Sequence, residues 1–143
     1  DDILKQHRVS VIIDNEMLLV KLDFGLMQQV LNNLVTNAAN YTPDGSLIKI
    51  KATIEKISSK ETLHITVEDN GKGFPEEETE KVFEKFYRLK DSKTGGTGLG
   101  LSIVRGLVEA HQGKISLKNI PNSGAKFTIE IPAVTSYLKQ TEK

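Results

Sequence analysis

The feature that most constrains the fold is an apolar stripe of helical period that follows Asp23. Its residues recur at spacings of three and four, which predicts one long amphipathic helix that ends before the turn at 42–45. Asp23 is expected to cap its amino terminus. The stripe consists of Leu26, Met27, Val30, Leu31, Leu34, Val35 and Ala38. Such a helix buries one face only, so the rest of the chain must supply a surface that covers it.

Alternating apolar residues predict that this surface is a β-sheet. Two runs separated by Ser58-Ser59-Lys60 predict a hairpin, and two more flank the turn at 121–124. The alternating positions are Ile48, Ile50, Ala52 and Ile54, then Leu63, Ile65 and Val67, then Ile115 and Leu117, then Phe127, Ile129 and Ile131. A second helix is expected over 100–111, with Gly113 as its stop signal.

The chain start adds one half-buried strand, in which Val9, Val11 and Ile13 alternate with polar residues. A short strand over 18–21 is expected to pair with it. This order of elements predicts an α+β fold, a two-layer sandwich with a mixed sheet of about five strands on about three helices.

Length and composition restrict the partners. A chain of 143 residues predicts one domain, over 1–134, followed by a frayed tail over 135–143. Lys plus Arg and Asp plus Glu both number 19, so no global basic field is present to bind nucleic acid or an anionic membrane. The absence of cysteine excludes disulfides and thiolate metal sites. The short apolar runs and these features predict a soluble, cytoplasmic domain without direct membrane contact.

Residues 70–97 form an irregular segment that contains four glycines, and only one short helix, roughly Glu78 to Phe86, is expected there. Long irregular segments within compact domains are usually functional. The segment is bordered by two glycine-rich stretches, Asp69–Gly73 and Gly95–Gly100.

Three asparagines lie on one edge of the long predicted helix. At about 100° per residue, Asn33, Asn37 and Asn40 fall within roughly 60° of one another. One interpretation is a solvated polar face. The other is that their amide oxygens hold a magnesium ion already chelated by phosphate oxygens, because carboxylates would repel the phosphates.

The glycine-rich stretches also have two interpretations each. Asp69 before a glycine turn is an ordinary arrangement, or its buried carboxylate accepts the exocyclic amine of adenine. The stretch Gly95–Gly100 is a flexible linker, or its amides at a helix amino terminus bind phosphate. The glycine spacing fits neither the dinucleotide motif nor the P-loop. Asp23-Phe24-Gly25 matches the magnesium motif of protein kinases, but no H-R-D loop accompanies it.

Four ordered motifs together resemble the N box, first glycine box, F box and second glycine box of bacterial sensor histidine kinases. They are Asn33–Thr42, Asp69–Gly73, Phe83–Arg88 and Gly96–Ser102. The resemblance runs from about Val9 to Pro132. It implies the Bergerat ATP-binding fold shared with DNA gyrase, mismatch-repair ATPases and heat-shock chaperones, with the segment at about 71–97 as a mobile lid over ATP.

The resemblance also implies roles for individual residues. Asn37 is the expected principal magnesium ligand with Asn33 assisting, and Asp69 is expected to bind adenine. Arg88 would reach the terminal phosphates, where it and Asn33 form the catalytic pair. The remaining expected ATP-binding residues are Asn40, Tyr41, Gly71, Gly73, Gly96, Thr97, Gly98, Leu99 and Gly100. Phe83 and Phe86 are expected to anchor the lid.

Two positions depart from the family pattern. Asn40 stands where Lys or Arg usually contacts phosphate, so a charged contact with ATP is missing there. Gly124-Ala125-Lys126-Phe127 resembles the last family box but has Ala125 where Thr is common, which removes a water contact beside the base.

The position of Asn33 favours a transferase. Relatives that hydrolyse ATP or phosphorylate serine generally carry a glutamate there as the base. The imidazole of histidine is already nucleophilic and needs mainly positioning and charge neutralisation. The prediction is therefore transfer of the γ-phosphoryl group of Mg-ATP to histidine.

The acceptor is expected outside this chain. His7, His64 and His111 lack the acceptor pattern, so the phosphorylated histidine is expected on a separate helical dimerisation domain of a longer parent protein, whose anchoring in the bacterial inner membrane stays open. A receiver-domain response regulator would be the next partner. The alternatives are a nucleotide-binding switch module with little kinase activity, which Asn40 favours, and a gyrase-like hydrolase. The residues Gly95–Val104 also resemble the potassium-responsive sensor kinases.

Overall fold

The structure, a computed structural model, describes residues 7–13, 18–20, 22–87, 100–133 and 135–137. Its regular elements are β1 (Arg8–Ile13), β2 (Leu18–Val20), α1 (Phe24–Asn40), β3 (Leu47–Ile57), β4 (Lys60–Asp69), α2 (Gly100–Ala110), β5 (Lys114–Asn119), β6 (Ala125–Pro132) and β7 (Thr135–Tyr137). Two short 3-10 helices, Glu76–Glu78 and Lys81–Phe83, follow β4.

The main sheet has five strands in the order β1-β3-β4-β6-β5. Strand β1 pairs in parallel with β3, and the other neighbours are antiparallel, so the sheet is mixed. Both predicted hairpins are confirmed: β3 and β4 meet across Ser58 and Ser59, and β5 and β6 meet across 120–124. The predicted α+β sandwich is therefore confirmed.

The core lies between one face of the sheet and helices α1 and α2. Alternate residues of β4 and β6 are buried, and they meet the apolar stripes of both helices. The largest fully buried side chains are Phe127, Leu34, Ile48, Ile129, Ile131, Val30, Val67, Val104 and Val108. Asp23 caps α1 as expected, because its Oδ1 accepts the Leu26 N–H at 3.1 Å.

The end of α2 differs in detail from the expectation. Gln112, at φ 61°, adopts the left-handed conformation, and the Gln112 and Gly113 amides donate to the carbonyl groups of Glu109 and Val108. Gly113 has another reason to lack a side chain, since an added Cβ would lie 2.5 Å from the Glu130 carbonyl oxygen. The predicted stop is thus shared by two residues.

The predicted pairing of the second strand with the first is wrong. Strand β2 pairs with β7 in an antiparallel two-stranded sheet, with Leu19 opposite Ser136. The partner comes from within 135–143, the segment expected to be a frayed tail. A contact between such distant segments leaves no local pattern in the sequence.

The first strand forms as predicted, but its apolar side is exposed. Val9, Val11 and Ile13 are 42%, 57% and 52% exposed. They lie opposite Ile48, Ile50 and Ala52 in the parallel pair and therefore share the core-side face of the sheet. The exposure arises because β1 is an edge strand and the helices pack over β3, β4 and β5.

The single helix expected over Glu78 to Phe86 is also wrong. The chain forms two separate 3-10 turns, and Glu84 between the second turn and Phe86 is extended, with ψ 147°. Phe86 then takes a positive φ of 62°. These backbone angles prevent a continuous helix. In the described part of the chain, no helix is both long and apolar enough to cross a membrane.

The packing of the core makes a matched test possible, because Ile129 is fully buried and Ile103 is 42% exposed. We expect Ile129→Ala to lower the free energy of unfolding by about 2–5 kcal/mol, through lost burial and the cavity left behind. The same change at Ile103 should cost less than about 1 kcal/mol. Urea unfolding followed by circular dichroism measures both, and equal losses would contradict this packing.

Candidate functional site

Helix α1 carries Asn33, Asn37 and Asn40, and all three side chains are partly exposed at the edge of the core. The Oδ1 atom of Asn37 is buried and accepts no hydrogen bond within the described part of the chain. An unpaired buried acceptor costs about 1–3 kcal/mol. A bound cation or donor would remove that cost.

This unpaired amide oxygen fits the expected magnesium ion. Magnesium prefers oxygen ligands and usually keeps several that come from water or phosphate, so one or two protein oxygens suffice. Among the described residues, no group of three or more Asp, Glu, His or Cys side chains could hold a metal by itself. An ion held by Asn37 and Asn33 would therefore take its further oxygen ligands from water or from a phosphate.

Asp69 ends β4 and places a carboxylate in the interior, where the residue is only 7% exposed. Its Oδ1 accepts the Gly71 N–H at 2.9 Å and the Ala125 N–H at 3.4 Å. Burial raises the pKa of Asp69, the two backbone hydrogen bonds oppose that rise, and Glu68 adds to it. The carboxylate is thus desolvated, and the two backbone hydrogen bonds offset only part of the effect of desolvation on its pKa.

Gly124 makes room for this carboxylate. A Cβ at position 124 would lie 2.1 Å from the Asp69 Oδ1 atom, 2.4 Å from its carbonyl oxygen and 2.6 Å from the Gly71 nitrogen. No side chain fits there. Gly124 lies in the segment that resembles the last family box, but the resemblance implied no role for this residue. A glycine before the last strand was the available signal, but its partner is 55 residues away in sequence.

The glycines of the first glycine box are also required by contacts within the protein. A Cβ on Gly71 would lie 2.6 Å from Cγ2 of Thr42, and one on Gly73, which has φ +79°, would lie 2.6 Å from Oδ1 of Asn119. The loop after β4 therefore packs closely against both neighbours. An approach of a base to Gly71 and Gly73 stays a prediction.

Thr42 joins the end of α1 to the start of β1. Its hydroxyl donates to the Ala38 carbonyl oxygen at 2.8 Å, and its oxygen lies 2.8 Å from Nε2 of His7. Because the hydroxyl proton is engaged, the His7 Nε2–H must be the donor in that contact. A cavity of about 600 Å³ borders Thr42, Tyr41 and Gly71. This cavity lies between the turn at 42–46 and residues 70–72, and its lining includes neither Asn37 nor Asp69.

A row of four aromatic rings connects Tyr41 to the second 3-10 helix. Tyr41 packs edge-to-face on Phe74 at 5.6 Å, Phe74 on Phe127 at 6.1 Å, and Phe127 on Phe83 at 6.0 Å. Phe83 is buried, as an anchor of this segment must be. Phe86, which has a positive φ, is 67% exposed, so its ring is not packed in the core as the expected anchor role would require.

Tyr87 and Glu78 close the segment that holds both 3-10 turns. The Tyr87 hydroxyl donates to Oε1 of the buried Glu78. That hydrogen bond is the main reason that the pKa of Tyr87 is raised to about 12, with burial and the charges of Glu78, Glu84 and Glu77 adding to it. The contact fixes the residue directly before Arg88.

Part of the predicted site lies outside the described residues. Arg88, Gly96, Thr97, Gly98 and Leu99 belong to this group, so their roles remain predictions. Gly100 is the first residue of α2. The structure brings together the C-terminal part of α1, the loop after β4 and the turn before β6.

The three histidines have contacts within the chain, which supports the view that they are structural. His7 contacts Thr42, and Nδ1 of His111 lies 2.9 Å from the Leu107 carbonyl oxygen. His64 lies 3.5 Å from Glu55 and 3.6 Å from Glu130 on the outer face of the sheet.

A family model described as "Histidine kinase-, DNA gyrase B-, and HSP90-like ATPase" matches residues 23–135, which include both asparagine and glycine motifs. The chain belongs to this family. The match runs from the cap of α1 into β7, so it covers the whole site described above. ATP is accordingly the nucleotide expected at Asp69.

Curated relatives place the chain among the histidine kinases of this family. The chain is 35% identical over 136 residues to the sensor histidine kinase WalK of Bacillus subtilis, which covers 92% of this chain and 22% of WalK. It is also 35% identical over 132 residues to the sensor protein KdpD of Clostridium acetobutylicum, covering 90% of this chain and 14% of KdpD. The chain thus spans less than a quarter of either relative.

Solved structures of histidine kinases superpose on this chain, in agreement with the curated relatives. The catalytic domain of the histidine kinase ThkA superposes with a TM-score of 0.72 at 36% identity, over 92% of this chain and 84% of that one. A full-length ShkA in complex with AMPPNP gives a TM-score of 0.77 at 26% identity, over 93% of this chain and 27% of that one. The mycobacterial sensor kinase MprB, at 23% identity and a TM-score of 0.76, supports the fold alone.

The contact between Gly124 and Asp69 predicts a large effect of one methyl group. We expect Gly124→Ala to lower the free energy of unfolding by about 1–3 kcal/mol, because the new Cβ overlaps the carboxylate. Gly106→Ala is the matched control: nothing lies within 4 Å of its added Cβ, and in a helix the change should stabilise by up to about 1 kcal/mol. Urea unfolding measures both, and a neutral Gly124→Ala would contradict the contact.

The raised pKa of Asp69 predicts a pH dependence of stability. The folded state binds this proton more tightly than the unfolded chain does, so the resulting stabilisation is complete below the unfolded pKa and is lost as the pH rises through the folded pKa. We expect the free energy of unfolding of the wild type, relative to Asp69→Asn, to fall from acidic pH toward neutrality.

Urea unfolding at a series of pH values tests this prediction. Asp44→Asn, at an exposed turn residue, controls for the loss of a carboxylate in general. A wild-type advantage over Asp69→Asn that grows with pH would show that the buried carboxylate is stabilised by its charge.

Proposed function

We propose that this chain is the catalytic, ATP-binding domain of a protein-histidine kinase of two-component signalling. It binds Mg-ATP and transfers the γ-phosphoryl group to a histidine on a separate dimerisation domain of the same parent protein. The AMPPNP complex of the related ShkA supports a triphosphate ligand. The names of the curated relatives support the reaction.

The observation that carries the proposal is the pair Asn33 and Asn37 on α1. Asn37 offers a buried oxygen without a partner, which suits a metal bridging to phosphate. Asn33, one helical turn earlier, is where a hydrolase of this fold generally has its glutamate base. An amide cannot take a proton from water, so Asn33 favours an acceptor that needs no base.

The proposed step balances without a protein base. The unprotonated nitrogen of a neutral imidazole attacks the γ-phosphorus, an N–P bond forms, and the bond from that phosphorus to the β–γ bridging oxygen breaks. ADP leaves with the electron pair of that bond. The proton on the other ring nitrogen of the phosphorylated imidazole is released to solvent.

The chain's own residues supply binding and orientation. Asn37 and Asn33 would hold the magnesium ion, which when bound neutralises charge on the phosphates. Asp69 would accept the exocyclic amine of adenine at the opposite end of the site, and Tyr41 would lie against the nucleotide. Arg88 and Gly96–Gly100 would contact the phosphate chain, with Arg88 opposing charge that develops on the γ-phosphoryl group.

Partners and location follow from this role. The first partner is the histidine-bearing dimerisation domain, and the second is the receiver domain of a response regulator. The low share of each relative that this chain covers supports a multidomain parent. The balanced charge of 19 acidic and 19 basic residues supports neither a nucleic acid nor a membrane partner, and we assign the domain to the cytoplasm.

A switch module that binds ATP without phosphorylating is the second candidate. Asn40 supports it, because a neutral side chain stands where the family usually has a cation for phosphate. A mobile lid over about 71–97 would serve either function.

Calorimetry with AMPPNP and magnesium is the first test, with the wild type, Asn37→Asp and Asp69→Asn. We expect each variant to weaken nucleotide binding at least tenfold, a loss of about 1.4 kcal/mol, with the fold retained. Asn32→Asp, at an exposed position of the same helix, is the matched control and should bind as the wild type does. Unchanged affinity in both site variants would overturn the assignment of the site.

Labelled ATP then separates the three functions when a histidine-bearing dimerisation domain is supplied in trans. Acid-labile, alkali-stable label on that domain, absent when its histidine is replaced by alanine, supports the kinase. Steady release of phosphate without such label would identify a hydrolase. Nucleotide binding with neither outcome would identify the switch module, and either of these results would overturn the proposal.

A further inference from the structure

Asn119, the last residue of β5, contacts the loop after β4 through every polar atom of its side chain. Its Oδ1 accepts the Phe74 N–H at 2.8 Å, and its Nδ2 donates to the Phe74 carbonyl oxygen at 2.7 Å. The same nitrogen donates to Oε1 of Glu76 at 2.8 Å. A side chain thus pairs with Phe74 as a neighbouring strand would, although 45 residues separate the two.

The β5–β6 hairpin holds this loop at a second point. Asn119 lies opposite Ala125 in the strand register, and the Ala125 N–H donates to Oδ1 of Asp69. The two attachments lie five residues apart along the loop, at Asp69 and at Phe74. Between them, Asn70 ties the loop to β3, since its Oδ1 accepts the Leu47 N–H at 2.8 Å and its own N–H donates to the Leu47 carbonyl oxygen at 3.3 Å. From there to Phe74, Gly71 and Gly73 have no side chains that could hold the loop by packing.

Gly73, which has a positive φ, lies beside the same contact. A Cβ there would lie 2.6 Å from Oδ1 of Asn119 and 3.4 Å from the Gly124 carbonyl oxygen. Phe74, held at both of its backbone polar groups, packs on Tyr41. Asn119 is therefore connected to both side chains expected to contact the nucleotide base. It is connected to Asp69 through Ala125 and to Tyr41 through Phe74.

We propose that Asn119 is a positioning residue for base recognition: its carboxamide fixes the Asp69–Phe74 loop against the end of the sheet and so holds Asp69 and Tyr41 where adenine binds. This inference rests on the proposed function, in that the ligand is an adenine nucleotide. Asn119 acts on affinity and base selectivity, whereas the phosphoryl end of the site, at Asn33 and Asn37, lies on another element.

Asn119→Asp is the sharpest variant, because it keeps the shape of the side chain and an acceptor for the Phe74 N–H. It removes both donated hydrogen bonds and places a negative charge beside Glu76. The double variant Asn119→Asp/Glu76→Gln restores one donor, from the glutamine amide to the new carboxylate, and should recover part of the effect. Asn122→Asp is the matched control, at an exposed turn residue of the same hairpin whose φ of 60° aspartate also tolerates.

Three measurements test the proposal. In the nucleotide-free protein, amide hydrogen exchange at Phe74, followed by NMR, should be at least tenfold faster in Asn119→Asp than in the wild type. The Kd for ATP should rise about tenfold, while that for inosine triphosphate, which has a carbonyl oxygen in place of the amine, should change less than twofold. With a phosphate acceptor present, KM for ATP should rise with kcat unchanged.

The remaining outcomes distinguish failure of the proposed function from failure of the positioning role. Failure of the wild type to bind ATP would overturn the proposed function, whereas the exchange measurement would still report on the loop. Unchanged exchange in Asn119→Asp, or faster exchange with unchanged selectivity, would overturn the positioning role. An equal loss of affinity for ATP and for inosine triphosphate, or a fall in kcat, would show that Asn119 only supports the structure in general, and would also overturn the positioning role.

Discussion

The burial of one carboxylate, that of Asp69 at the end of a central strand, is the constraint on which the rest of the site depends. Two backbone amides donate to it, yet its pKa is still raised, so desolvation outweighs the hydrogen bonds that the protein provides. Such an acceptor is costly in the free protein. A further hydrogen-bond donor at the carboxylate would offset part of that cost.

Several residues contact Asp69 directly or through one neighbour. Gly124 has no side chain, which leaves space for the carboxylate. The Gly71 N–H donates to the carboxylate, and Gly71 packs on Thr42 just after the end of α1. Because β4 lies between β3 and β6, elements from both sides of the sheet meet at this end of the strand. Asp69 and the end of helix α1 are thereby joined through short, direct contacts at Gly71 and Thr42.

Local patterns in the sequence were sufficient for α1, α2 and both hairpins, because period and turn chemistry act over a few residues. The ordered motifs also singled out Asp69 and Asn37, whose roles in binding stay predictions. The pairing of β2 with β7, the role of Gly124 and the contacts of Asn119 were not predictable, since each depends on a partner tens of residues away. The exposure of the apolar side of β1 and of the Phe86 ring was not predictable for a related reason. Alternation and hydrophobicity do not reveal which other residues cover a face.

The parallel pairing of β1 with β3 has a consequence for how the chain folds. The strands β3, β4, β6 and β5 form antiparallel neighbours, two pairs of which are joined by short turns that close quickly. Strand β1 pairs with β3 across a crossover of 33 residues that contains α1, and β4 pairs with β6 across 55 residues, so both pairings close much longer loops than the two hairpins do. The two hairpins are therefore expected to form before the β1–β3 and β4–β6 pairings bring the distant segments of the sheet together.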